Sequence, residues 1–154
     1  WKELPVCDRV IYAFTLSPEE ITACYEHGTP TLAARVASVK LAGKMGHPVR
    51  LCFDPMIYYP HYKEVYRRML GEVFAQIDTD HIVDVSMGSF RISKDYLKNM
   101  RRHDVLSPVV QFPYENIDGV YQYPDKLRQE MEGFLHKELC KYVEEEHIFC
   151  WDQI

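Results

Sequence analysis

Residues 47–59 read His47-Pro-Val-Arg-Leu-Cys-Phe-Asp-Pro-Met-Ile-Tyr-Tyr59, a short apolar strand that runs into an acid and a proline, Asp54-Pro55. A helical pattern precedes this stretch and another follows it. That is the outline of a βα unit whose strand ends in a polar group, and in barrels built from such units the chemistry sits at the carboxyl ends of the strands. The outline recurs along the chain. Residues 9–16, Arg-Val-Ile-Tyr-Ala-Phe-Thr-Leu, form a continuous apolar run of strand formers, as a parallel strand buried on both faces requires. A third strand is expected at about 81–86 and a last one at about 147–151.

The intervening segments carry helix signals. Ser17 reads as an N-cap, with Pro18 in the first helical position, Glu19 and Glu20 in the first turn and Gly28 as the stop. Thr29 reads as the cap of a second helix with Pro30 at its start, an apolar face of Leu32, Val36, Val39, Leu41 and Ala42, and an end at Gly46. Tyr62 to Ile77 is amphipathic, with Val65, Met69, Val73 and Ile77 on one side. Ser93 should cap a helix to about Arg102. A turn-rich stretch follows, with Pro108, Pro113, Asn116, Asp118 and Gly119, and a short strand is expected there at Val109–Phe112. Asp125 to Glu146 reads as the longest helix, with Leu127, Met131, Phe134, Leu135 and Leu139 inward. Strands alternating with helices imply an α/β fold with parallel pairing and right-handed crossovers. No internal boundary divides residues 1–154, so the expectation is a single partial domain.

The 47% hydrophobic and 27% charged composition is that of an ordinary globular domain, and 154 residues suffice for a real core. No apolar run approaches the roughly 20 residues of a membrane helix, and no signal peptide is visible. The first residue is Trp1, which suggests a partial chain. The net charge of −5 argues against a dedicated nucleic-acid coat. The charge is uneven, however, with five basic residues and one acid between Arg91 and Arg102. The five cysteines, Cys7, Cys24, Cys52, Cys140 and Cys150, are odd in number and widely spaced, which reads as buried thiols in a reducing cytoplasm rather than a disulfide framework. No CxxC or CxxxCxxC occurs, so a complete metal or iron–sulfur ligand set is missing. The histidines do not fall at metal-ligand spacing, and neither GxGxxG nor GxxxxGK[ST] is present.

Four blocks stand in order along the chain: Thr15-Leu16-Ser17-Pro18-Glu19; Glu26-His27-Gly28-Thr29-Pro30-Thr31-Leu32 up to Arg35; Gly46 to Tyr59; and Val85-Ser86-Met87-Gly88-Ser89-Phe90-Arg91. In this order and spacing they resemble the carboxyl-terminal half of the spore photoproduct lyase-like radical S-adenosylmethionine proteins, the DNA repair photolyases. The resemblance covers most of residues 9–135. It implies the second half of a partial (βα)6 TIM-like barrel with parallel strands and outer helices. It also implies that S-adenosylmethionine and a [4Fe–4S] cluster serve the full-length protein, the cluster held on a CxxxCxxC loop before this chain begins. The fragment alone is then expected to bind no cofactor and to be inert. In the complete enzyme a 5′-deoxyadenosyl radical would abstract hydrogen from a substrate such as a damaged pyrimidine in DNA. Two departures stand out. The lyase pattern Gly-x-Tyr-Arg-Tyr reads here Gly119-Val120-Tyr121-Gln122-Tyr123, with Gln122 in place of the arginine, and lyases proper carry another residue where this chain has Asp54. A related radical reaction on another substrate fits those departures.

Residue type and position, taken with the resemblance, mark Thr15, Ser17, Arg35, Ser86 and Gly88 as candidate cofactor contacts, and Asp54, Tyr58, Tyr59, Arg91, Tyr121 and Tyr123 as candidate substrate contacts. Each has a plainer reading. Arg35, among Ala33, Ala34, Val36 and Ala37, either points to solvent or, as the resemblance implies, meets the methionyl carboxylate, a task suited to a bidentate guanidinium. Thr15 and Ser17 are hydroxyls at a strand end or helix caps. Asp54 binds a sugar hydroxyl, a substrate or a structural arginine, or bonds nearby amides in a turn. Tyr58 and Tyr59 stack on a base, worth roughly 1–3 kcal/mol, or pack half-buried. Gly88 admits an adenine or makes a tight turn. Arg91, Lys94, Lys98, Arg101 and Arg102 recur at helical spacing, as a phosphate-binding stripe or a solvated face. A non-enzymatic nucleic-acid or protein binding module, or half of another (βα)-barrel enzyme, are the competing classes. An isolated half-barrel leaves open sheet edges and an apolar inner face, so self-association or a cover is expected.

Overall fold

The computed structural model describes residues 3–150. Its centre is a four-stranded sheet of β1 (Tyr12–Thr15), β2 (Val49–Met56), β3 (Ile82–Ser89) and β7 (Ile148–Cys150), in the order β1-β2-β3-β7. All three pairings are parallel, as strands separated by helical crossovers must be. The fold is mixed α/β, as expected. The last expected strand extended to residue 151, which lies outside the described residues.

Helices α1 (Glu19–Tyr25), α2 (Leu32–Lys44), α3 (Tyr62–Phe74) and α6 (Asp125–Leu139) supply the layer that covers the sheet. Side chains alternate across a strand, and the burial follows that alternation. Val49, Leu51, Phe53, Val85 and Met87 are buried against Val36, Val39, Met69, Leu70, Met131 and Leu135. Val65, Met69, Val73 and Ile77, the stripe read from α3, all lie in the core.

Several local expectations change. Ser17 does not cap α1. The cap position falls on Pro18, without a side-chain bond, because the Ser17 hydroxyl donates to Glu26 Oε1 at 2.6 Å. Thr29 does not cap α2 either. The helix starts two residues after Pro30, and Thr31 Oγ1 accepts from the Ala34 N–H. Residues 109–112, expected as strand, belong mostly to a helical turn, α5 (Pro108–Gln111), which starts at proline in its favoured first position. Helix α6 ends at Leu139, short of Glu146. β2 does not stop at Asp54 but runs through a cis Asp54-Pro55 bond to Met56.

A second sheet was not foreseen. β4 (Arg91–Ser93), β5 (Glu115–Ile117) and β6 (Val120–Gln122) form an antiparallel sheet in the order β4-β6-β5. β5 and β6 are joined at Asp118-Gly119, both with positive φ (51° and 87°), the backbone of a two-residue hairpin turn. Helix α4 (Lys94–His103) follows β4, and its first N–H donates to Gly119 of that turn at 3.1 Å.

Candidate functional site

The face of the parallel sheet opposite the helices is the conspicuous one. Parallel sheets are ordinarily covered on both faces. Here Thr15, Cys52, Ser86 and Phe149 stand in one register across the four strands, and Ala13, Arg50 and Asp84 in the row before it. Ala13, Thr15 and Phe149 are exposed, Cys52 and Arg50 are half-buried, and Asp84 and Ser86 on β3 are buried. The expected apolar inner face is therefore mostly polar. Arg50 Nε and Nη2 both donate to the Asp84 carboxylate, the latter at 2.6 Å, and this bond raises the arginine's affinity for its proton.

The five residues assigned to the cofactor are distributed as follows. Thr15 and Ser86 share the open-face row, and Gly88 lies one step further along β3. Ser17 and Arg35 belong to a network beside the end of β1. Arg35 does not point to solvent: its side chain is 11% exposed. Nε donates to Pro30 O at 2.8 Å, Nη1 to Thr15 O at 3.3 Å, and Nη2 to the Glu26 carboxylate and to Thr29 Oγ1, the last at 2.8 Å. Glu26, which sequence reasoning did not single out, takes Arg35 on one oxygen and Ser17 on the other.

At the carboxyl ends of β2 and β3, Arg91 Nη2 reaches Asp54 Oδ2 at 3.1 Å and Nη1 reaches Ser89 O at 3.4 Å. Asp54 thus holds an arginine, one of its anticipated roles. Gly88 explains the geometry: a Cβ there would lie 2.9 Å from Arg91 Nη1. Its missing side chain makes room for the guanidinium. Another unforeseen residue is Glu132 on α6. Its Oε1 accepts from the Ser89 N–H at 3.0 Å and the Ser89 hydroxyl at 2.7 Å, and Oε2 lies 3.9 Å from Cys150 Sγ. Burial, then the Glu132 carboxylate, push the Cys150 thiol up.

The tyrosines separate. Tyr58 is 40% exposed and packs on Tyr62 and Phe112. Tyr59 is half-buried and meets the edge of Tyr25. Tyr121 is half-buried in the small sheet, opposite Ile92 and Asn116. Tyr123 is 1% exposed, lies against Phe112 and Tyr114, and accepts the Tyr58 N–H at 2.9 Å. Its expected contact with a base is corrected here, since a ring so enclosed has no free face for stacking. Burial raises its phenol pKa. The basic stripe also contracts. Arg91 sits on β4, not on the helix, and Arg101 donates to Val110 O at 2.7 Å and Phe112 O at 3.4 Å. Lys94, Lys98 and Arg102 remain exposed on α4.

No protein-family model matches this chain, and no curated protein matches it. Solved structures do. A spore photoproduct lyase double mutant with bound AdoMet and dinucleoside spore photoproduct superposes with a TM-score of 0.76 at 14% identity, over 91% of this chain and 43% of that one. A spore photoproduct lyase complexed with dinucleoside spore photoproduct gives 0.74 at 14% identity, over 93% and 44%. A single-substitution mutant with the same dinucleoside gives 0.78, again at 14% identity over 93% and 44%. The chain thus shares its fold with part of spore photoproduct lyase and spans less than half the length of those structures.

Proposed function

We propose that this chain is the second half of a partial (βα)6 barrel in a radical S-adenosylmethionine enzyme of the spore photoproduct lyase type, acting on a damaged pyrimidine in DNA. One observation carries the reading. The sheet whose fold matches spore photoproduct lyase over 91–93% of the chain leaves its helix-free face open and polar. A barrel turns that face inward, and barrel chemistry gathers at the strands' carboxyl ends.

The residues present fit S-adenosylmethionine in part. Thr15, Cys52 and Ser86 offer a row of small polar side chains, suited to ribose hydroxyls and an amino group. The Ser17 hydroxyl and Arg35 guanidinium are already engaged and shape the neighbouring wall. The residues do not fit a [4Fe–4S] cluster: among the described residues no three His, Cys, Asp or Glu side chains come together as a ligand set. Its ligands would come from sequence outside this chain. When bound, S-adenosylmethionine and the cluster supply a 5′-deoxyadenosyl radical. This chain's own part is to floor the cavity with Arg50–Asp84, to wall it with Asp54–Arg91, and to present Tyr58, Tyr59 and Tyr121 on the substrate side. Lys94, Lys98 and Arg102 meet phosphates. The five cysteines are all unpaired, a state suited to a reducing cytoplasm, but they are not the buried thiols expected: Cys7, Cys24 and Cys140 are exposed, and Cys52 and Cys150 are half-buried. No helix among the described residues is long and apolar enough to cross a membrane.

The test is anaerobic reconstitution of the full-length protein with iron and sulfide, followed by incubation with S-adenosylmethionine, reductant and dinucleoside spore photoproduct. Release of 5′-deoxyadenosine with loss of the photoproduct is expected. Their absence from a protein that holds its cluster removes the reading. In duplex titrations, Lys98→Ala should lower the slope of log K against log salt by about 0.9, one phosphate's worth. A binding module without chemistry is the competing reading, favoured by Tyr96, 71% exposed on α4 between Lys94 and Lys98. Duplex affinity without S-adenosylmethionine affinity would select it.

A further inference from the structure

An open cleft of about 610 Å³ lies at the carboxyl end of β1, and Thr15, Glu26, Thr29, Pro30, Arg35 and Pro55 are among the residues that line it. We infer that Glu26 and Arg35 act as one positioning unit that sets the 26–31 loop as the wall of this cleft, so that Arg35 serves a bound ligand by holding the loop rather than by gripping that ligand through two nitrogens.

The donor inventory supports this. A guanidinium has five N–H groups, and a carboxylate ligand is gripped through a pair of adjacent nitrogens. Both Nη2 hydrogens are engaged, by Glu26 and by Thr29 Oγ1, and the single Nε hydrogen is engaged by Pro30 O. Either fork would have to break one of these bonds. The acceptors sit on both sides of the cleft: Glu26, Thr29 and Pro30 on the loop, Thr15 O on the strand. Glu26 is fixed in turn by Ser17, which is 2% exposed, and its carbonyl accepts the Thr29 hydroxyl at 2.7 Å. Gly28 lets the loop reverse: its φ is +77°, with nothing within 4 Å of where a Cβ would stand. Backbone conformation, not space, requires glycine there. α2 holds Arg35 by helix geometry, so the loop is the part that moves when the pair is lost.

Only the ligand's identity rests on the reading above. The experiment uses the full-length protein with Glu26→Gln, Arg35→Ala and Arg35→Lys. It measures amide exchange over residues 26–31 and S-adenosylmethionine affinity by calorimetry. Glu26→Gln keeps the shape and removes the charge. It should speed exchange of the loop roughly tenfold, the loss of one charge-assisted bond, and Arg35→Ala by at least as much, since the bonds to Pro30, Thr29 and Thr15 go as well. Both should weaken S-adenosylmethionine, with exchange of the β2 and β3 amides unchanged. Lysine should not rescue, because one ammonium cannot span acceptors on the loop and the strand. If Glu26→Gln leaves affinity unchanged or tighter while Arg35→Ala abolishes it, Arg35 is a direct ligand and the inference falls. If loop exchange is unaffected by Glu26→Gln, it falls as well. Should the wild type bind no S-adenosylmethionine, the radical-enzyme reading fails, and loop exchange alone decides the role of the pair.

Discussion

Two adjacent rows of the parallel sheet, one residue apart, have opposite characters. Phe14, Leu51, Val85 and Ile148 stand in register toward the helices, while Thr15, Cys52, Ser86 and Phe149 stand in register on the helix-free face. The first row joins the buried core. The second is polar except at the β7 edge. Because the side-chain period of a strand is two, the same short segments supply both the packing and a polar surface. An uncovered face on a parallel sheet is therefore not in itself a defect of packing. Its open face has a built arrangement of its own, with Arg50 on Asp84 and Arg91 on Asp54.

The largest expected effect tests that division directly. Leu51 is fully buried and its neighbour Cys52 is half-buried. Leu51→Ala should cost about 2–5 kcal/mol, since it removes apolar burial and leaves a cavity. Cys52→Ala should stay within about 0.5 kcal/mol, as a substitution that leaves no buried group unpaired. Urea denaturation of both variants gives the comparison. Equal losses would mean that the open face is packed as a core, and the two-face description would be abandoned.

A smaller effect concerns how the covered side holds the segment after β2. The Tyr66 hydroxyl is fully buried, accepts the Ile57 N–H at 2.8 Å and lies 3.4 Å from Ile57 O. Tyr66→Phe strands that N–H and should cost about 1–3 kcal/mol. Burial raises the Tyr66 phenol far above its ordinary value. A group whose folded pKa exceeds its unfolded one contributes stability that is complete below the unfolded value, about 10 for tyrosine, and is lost as pH rises toward the folded value. Wild-type stability should therefore fall above that pH more steeply than that of Tyr66→Phe. Parallel curves from pH 8 to 11 would show that the phenol is not excluded from solvent.

The covered face was the legible part of this chain. Continuous apolar runs and the α3 stripe of Val65, Met69, Val73 and Ile77 depend on periodicity alone, and periodicity survives folding unchanged. The caps were less legible. Thr29 and Thr31 flank the same proline, and only the tertiary demand of Arg35 on Thr29 leaves Thr31 to cap α2. The β5–β6 hairpin had a signal in Asp118-Gly119, but three-residue strands are too short for alternation to show. Glu26 and Glu132 were illegible, because their partners Arg35, Ser17 and Ser89 are fixed by where the strands end in space. The tyrosines differ for the same reason: Tyr121 and Tyr123 are two residues apart, yet only Tyr123 is enclosed by α5 and the aromatic residues around it.

The smallest expected effect is on the open face at Gly88. A Cβ there would stand 2.9 Å from Arg91 Nη1 and 3.5 Å from Asp54 Cγ. The nearer obstacle is the tip of a flexible side chain, so Gly88→Ala should displace the guanidinium rather than the strand. Alanine gains roughly 0.5–1 kcal/mol over glycine within a strand. The displaced pair, with side chains 33% and 19% exposed, contributes about 0–1 kcal/mol when screened by solvent. The two effects oppose, and net stability should move by less than about 0.5 kcal/mol. The change should appear in coupling instead. In the parent background, Arg91→Ala and Asp54→Asn should be non-additive, whereas in the Gly88→Ala background they should add. Retained coupling would place the guanidinium elsewhere than over Gly88. A loss above about 2 kcal/mol from Gly88→Ala alone would indicate a backbone obstacle, making this end of the open face as tightly packed as the covered one.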